Sequence, residues 1–112
     1  MPRPVPEPNP VMAVYLILDI TVDDPERYRE YVRRVAPVVA AFGGRYLARG
    51  GSAQCLEGDW EPGRLVIIEF SDRARALSFL DSPDYRAIGH IRHEAARSRV
   101  ILVDGIDELK ER

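Results

Sequence analysis

AVYLILDI, residues Ala13 to Ile20, is the stretch on which the fold turns. It is dense in β-branched and aromatic side chains, and its length suits a strand buried on both faces rather than a helix. A second such run, LVIIEF from Leu65 to Phe70, offers large side chains in both directions and belongs at the centre of the same sheet. Alternation places Tyr15, Ile17 and Asp19 on one face of the first strand, and Leu65, Ile67 and Glu69 on one face of the second. Working outward, Asp24-Pro25-Glu26 supplies a cap, a first-turn proline and a dipole-matched carboxylate, so a helix begins there. Tyr28, Val32, Val35, Val39 and Phe42 follow at helical spacing as one buried stripe. Pro37 falls inside it and predicts a kink or an early break. Gly43-Gly44 ends the helix, and Arg45 to Arg49 alternates as another strand. Gly50-Gly51 reads as a bulge, with the extended pattern resuming over Ala53 to Glu57. Ser71 is expected to cap a short helix carrying Ala74, Leu77 and Leu80, and Ser82-Pro83 starts another with Ile88, Ile91 and Ala95 turned inward. Arg99 to Val103 closes the chain as a last strand.

The order strand, helix, strand, strand, helix, strand is the split βαβ pattern of a ferredoxin-like α+β fold. It predicts an antiparallel sheet with helices on one face and with strands one and three as central, mutually parallel neighbours. The opposite face then carries Tyr15, Ile17, Leu65 and Ile67, an apolar patch that a lone subunit in water rarely tolerates. A homodimer formed sheet to sheet, a dimeric α/β barrel enclosing a small cavity, is the expected remedy.

The chain has 112 residues and 46% hydrophobic side chains, which fits one domain with one core. We place that domain at residues 12–106, after a Pro-rich extended segment at 1–11 and before a charged tail at 107–112. Sixteen basic against 18 acidic residues give a net charge of −2, without the basic field that nucleic acid binding needs. No run reaches the roughly 18 to 20 apolar residues of a membrane span. A single cysteine, Cys55, excludes an internal disulfide and fits a cytoplasmic setting.

Asp24-Pro25, Gly43-Gly44-Arg45-Tyr46-Leu47, Arg49-Gly50-Gly51, Leu56-Glu57-Gly58-Asp59-Trp60, Glu69-Phe70 and Ser82-Pro83-Asp84-Tyr85 together resemble the bacterial domain of unknown function 1330 family. That family lies in the dimeric α/β barrel superfamily. The likeness covers about Met12 to Ile106 and implies the fold and the dimer. Superfamily relatives include cofactor-free monooxygenases, isomerases, cyclases and ligand-sensing domains, so any one chemistry reaches this chain as analogy. The sequence departs from the pattern at Phe79, Leu80 and Asp81, where relatives commonly carry a Trp-Tyr pair, and at Ser71, which replaces a usual proline.

Candidate chemistry gathers on the cavity face. With strands one and three parallel, Asp19 and Glu69 would fall at the same end of the sheet, and one carboxylate pKa would rise. A bulge at Gly50 or Gly51 would bring Arg49 diagonal to Glu69, with Arg45 at the rim. The functional reading is a general acid or base beside a guanidinium that fixes a substrate carboxylate, phenolate or enolate. The alternative is an ion-pair cluster that orders the sheet end or the dimer contact. Tyr15 lines the same face, and Trp60 is either a lid over the pocket or a loop anchor. Tyr28 and Tyr31 read as packing and rim residues, and Cys55 as a buried inert thiol. His90 and His93 project away from the buried stripe, so neither a metal nor another cofactor is expected. The sequence thus describes a small-molecule protein: either an enzyme doing cofactor-free proton transfer on an aromatic or enolisable substrate, or a binding or stress-related module without turnover.

Overall fold

A computed structural model describes residues 13–106. The expectations for the Pro-rich segment and the charged tail lie outside the described residues. Four strands, β1 (Val14–Val22), β2 (Arg45–Arg49), β3 (Arg64–Phe70) and β4 (Ala96–Asp104), form one sheet in the order β2-β3-β1-β4. Three helices, α1 (Pro25–Ala41), α2 (Arg73–Asp81) and α3 (Pro83–Ala95), pack on one face of it. This is the ferredoxin-like α+β arrangement expected from the element order.

The alternation in β1 and β3 divides the sheet as read. Val14, Leu16, Leu18 and Ile20 are buried under the helices with Val66, Ile68 and Phe70, while Tyr15, Ile17 and Leu65 remain half-buried on the open face. One pairing differs from expectation: β1 and β3 run antiparallel, with Tyr15 opposite Glu69 and Asp19 opposite Leu65. In the split βαβ pattern the parallel partner of β1 is β2, two strands away, and the hairpin reverses β3 between them.

Asp24 caps α1, its carboxylate accepting from the Arg27 amide at 3.2 Å, with Pro25 in the first turn. Pro37 does not break the helix, which runs on to Ala41, and the proline ring lies on its exposed side. Asp72 rather than Ser71 caps α2, accepting from Arg75 N at 2.8 Å. The buried face also differs from the one read: Ala76 and Phe79 are inside, and Leu77 is exposed. Ser82 ends α2 and caps α3 through Tyr85 N at 3.0 Å, and Pro83 follows as read. Residues 50–63 form a loop rather than a resumed strand, and Cys55 is exposed in it, its thiol donating to the carbonyls of Glu57 and Gly58. The thiol is therefore not buried. Among the described residues no helix is long and apolar enough to cross a membrane.

Candidate functional site

The open sheet face separates the groups expected to act together. Because β1 and β3 are antiparallel, Asp19 and Glu69 are four positions apart along the strands, roughly 13 Å at strand rise, and do not form a carboxylate pair. Each instead has its own partners. Glu69, only 9% exposed, accepts from Arg45 at 2.9 Å and faces Tyr15 across the ladder. Burial and the adjacent Glu69 carboxylate push the Tyr15 hydroxyl above its usual pKa. Asp19 collects three donors: the Trp60 indole at 2.9 Å, the Gly63 amide at 2.8 Å and Arg99 at 3.4 Å. Those bonds, the Trp60 indole foremost, hold its carboxyl below the usual range. Trp60 thus ties the 50–63 loop to β1. The loop closes over this end of the face and leaves a hollow of about 360 Å³ between Trp60, Asp59, Leu65 and Ile101.

Arg49 is on the other side of the sheet. The irregularity in β2 lies at Leu47, between Tyr46 and Ala48, and not at Gly50. One extra residue reverses the alternation, so Ala48 pairs with Ile67, and Arg49 pairs with Val66 on the helix-covered face. Arg45 precedes the bulge and keeps the open-face position expected of it.

That displacement brings Arg49 into a cleft between the sheet and α1. Leu16, Leu18, Val66 and Ile68 form its floor, and Tyr28, Tyr31, Tyr46, Tyr85, Arg49 and Arg64 supply its polar lining. The Arg49 guanidinium stacks 4.9 Å from the Tyr46 ring centre, and that of Arg64 lies 5.6 Å from Tyr28. Deeper in, the Tyr31 and Tyr85 hydroxyls are 3.0 Å apart, and Arg92, 7% exposed, donates to Tyr85 at 3.2 Å. Burial raises the pKa of Tyr28, Tyr31 and Tyr46, with neighbouring guanidiniums pulling the other way. These phenols are neutral donors at neutral pH. Sequence reasoning gave Tyr28 and Tyr31 to packing and missed Tyr85, Arg64 and Arg92. The available signal was four tyrosines aimed at a core, each with a hydroxyl needing a partner. His90 and His93 are exposed, and among the described residues no three His, Cys, Asp or Glu side chains gather as a metal site.

Comparison with known proteins places this geometry. Residues 13–106 match the model of a domain of unknown function, DUF1330. The chain belongs to that family. Among solved structures, RPA0582, a protein of unknown function from Rhodopseudomonas palustris, superposes with a TM-score of 0.71 at 22% identity, covering 85% of this chain and 83% of that one. Its methylated form gives 0.68 at 22% identity, over 85% and 82% of the two chains. SnoaB, a cofactor-independent oxygenase from Streptomyces nogalater, gives 0.59 at 17% identity over 81% of this DUF1330 chain and 90% of its own. At these identities the likeness is one of fold. No curated protein matches the sequence.

Proposed function

We propose that two copies of this DUF1330 chain pair through the open sheet face, and that each subunit handles a small, flat, partly apolar or enolisable molecule in the helix–sheet cleft without a cofactor. The cleft carries the small-molecule reading: its walls are apolar and its polar groups are phenols and guanidiniums. Such groups, held in a low-dielectric site, suit proton transfer to or from a substrate oxygen and stabilisation of an enolate. Isomerisation, cyclisation, or oxygenation of a substrate that itself activates oxygen are the reactions this set would serve. The fold shared with SnoaB adds an analogy for the last of these.

Pairing is supported by what the open face presents. Ile101 is 60% exposed and Leu47 49%, beside Val103, Ile17 and Leu65. Each end of this patch carries an acid and a base together, Glu69 with Arg45 and Asp19 with Arg99, so a two-fold related copy meets no unbalanced charge. A cytoplasmic setting fits the free, exposed Cys55.

A second reading keeps the chemistry on the open face, between the paired sheets. The near-complete burial of Glu69 beside Tyr15 and Arg45 favours it, with Glu69 as the base, Tyr15 and Arg45 as substrate contacts and Trp60 as a wall. Asp19 is a poor base, because three donors already stabilise its charged form. On that view the Asp19 end is structural, and the face is a contact without turnover only if no ligand enters it. Titration of isotope-labelled protein with phenol, followed by amide chemical shifts, separates the readings. Saturable shifts at Tyr28, Tyr31, Tyr46 and Tyr85 are expected. Shifts confined to Tyr15, Arg45 and Glu69 would move the site to the open face, and a flat response throughout would remove small-molecule handling from both.

A further inference from the structure

The charge inside the cleft is unbalanced. Arg49 and Arg64, which line the cleft, and Arg92 behind Tyr85 take part in none of the ion pairs found among the described residues, whereas Arg27, Arg34, Arg73, Arg97 and Arg99 on the outer surfaces of α1, α2 and β4 each have an acidic partner. Arg64 Nε is shielded from solvent and has no hydrogen-bond partner. Its guanidinium lies 5.6 Å from the Tyr28 ring centre and, through Nη2, donates to the Arg49 carbonyl at 3.5 Å. The backbone makes room for it: Gly50, at φ +74°, passes so close that a Cβ there would collide with the Arg64 guanidinium. Burying a guanidinium costs free energy unless hydrogen bonds and opposite charge compensate it, and ring faces compensate only in part. An unmet buried donor in a cleft that a second guanidinium also lines suits an anion.

The cleft also restricts shape. It opens to solvent at its mouth and narrows inward to a cavity of about 30 Å³, between apolar side chains and tyrosine rings. Ring faces of this kind stack on a planar group, and a branched or bulky one finds little room between them.

We propose that the helix–sheet cleft is selective for flat organic monoanions, aromatic carboxylates or the phenolate and enolate forms of ring ketones, with Arg64 and Arg49 holding the anionic oxygen and Tyr28 and Tyr46 flanking the ring. The Tyr31–Tyr85–Arg92 chain lies at the inner end, where its hydroxyls can donate to a second oxygen on the ligand. This substrate class rests on the cleft being the small-molecule site. It does not depend on dimer formation, since every residue named comes from one chain.

Benzoate and its neutral isostere benzamide are the probes, with binding followed by amide shifts in the full-length protein. Benzoate is expected to bind saturably, shifting Tyr28, Tyr46, Arg49 and Arg64, and at least about tenfold more tightly than benzamide. Arg64→Met and Arg49→Met should each erase most of that preference, Arg64→Lys should restore part of it, and the surface variant Arg86→Met should leave it intact. Unchanged shift dispersion in each variant shows that the fold survives. Benzamide and benzoate binding equally well in the cleft would overturn the anion selectivity while leaving the cleft as the site. Failure of both to shift any cleft residue, or benzoate shifts confined to the open face, would overturn the selectivity and the cleft together.

Discussion

Replacing Asp19 with Asn tests how the 50–63 loop is held. In the native side chain Oδ1 accepts from Gly63 N at 2.8 Å, and Oδ2 accepts from the Trp60 indole at 2.9 Å and from Arg99 at 3.4 Å. Asparagine keeps a single acceptor oxygen, so either Gly63 or Trp60 must face the amide NH2, donor against donor. A hydrogen bond to a charged group is worth about 1.5–3 kcal/mol, and the one that survives drops to the neutral value near 1 kcal/mol. Arg99 is largely solvent-exposed and adds little. Allowing for the half-exposed indole, the loss is about 2 kcal/mol, or roughly 10 °C in Tm for a domain of this size. The chain has one tryptophan, so fluorescence reports this contact alone. We expect Asp19→Asn to shift the Trp60 emission to the red and to lower Tm at fixed protein concentration. The effect is also tied to pH. The folded state lowers the Asp19 pKa, so its contribution is full above the unfolded value near 4 and is lost as pH falls through the lower folded value. The stability gap between wild type and Asp19→Asn should therefore close on acidification below about pH 4. A variant with native Trp60 emission and a Tm within about 2 °C of wild type would refute the reasoning.

Ile101→Glu places a charge in the most exposed apolar position of the open face, and should convert a dimer to a monomer in sedimentation velocity while leaving the circular dichroism unchanged. Phe79→Ala removes a ring that lies 4.8 Å from Tyr85, 5.5 Å from Phe70 and 6.1 Å from Phe42, and should cost about 3–5 kcal/mol in urea unfolding. A loss under about 1 kcal/mol would mean that this aromatic cluster is not the core. Pro37→Ala restores the missing helical hydrogen bond to the Arg33 carbonyl on the exposed side of α1, and should raise stability by about 1–2 kcal/mol after the greater freedom of the unfolded chain is allowed for. A fall in Tm would show that the proline is needed for packing.

The faces of β1 and β3 were legible in the sequence because a period of two is rigid once the strands are found: Tyr15, Ile17, Asp19, Leu65, Ile67 and Glu69 share a face as read. The strand directions followed from topology, not from residues, and assigning β1 and β3 as parallel misplaced Asp19 relative to Glu69. Arg49 was singled out for its guanidinium but set on the wrong face, since the adjacent glycines drew the bulge three or four residues downstream of Leu47. Nothing in a one-dimensional pattern distinguishes a bulge at an ordinary leucine. The cleft was less legible still. Tyr28, Tyr31 and Tyr85 fit helical packing stripes, which fully account for their spacing, and Arg64 at the start of a strand reads as a solvated end. Their convergence depends on α1, α3 and β3 meeting, a contact between residues as far apart as Tyr31 and Tyr85 that no local signal records.

The proposed dimer divides labour between the two sides of the sheet, helices and cleft on one, a second copy on the other. Sedimentation equilibrium of the wild-type protein at micromolar concentration tests it most directly. A mass of twice the 12.7 kDa chain is expected. A stable species at the mass of one chain, with Ile17, Leu47 and Ile101 facing water, would contradict it.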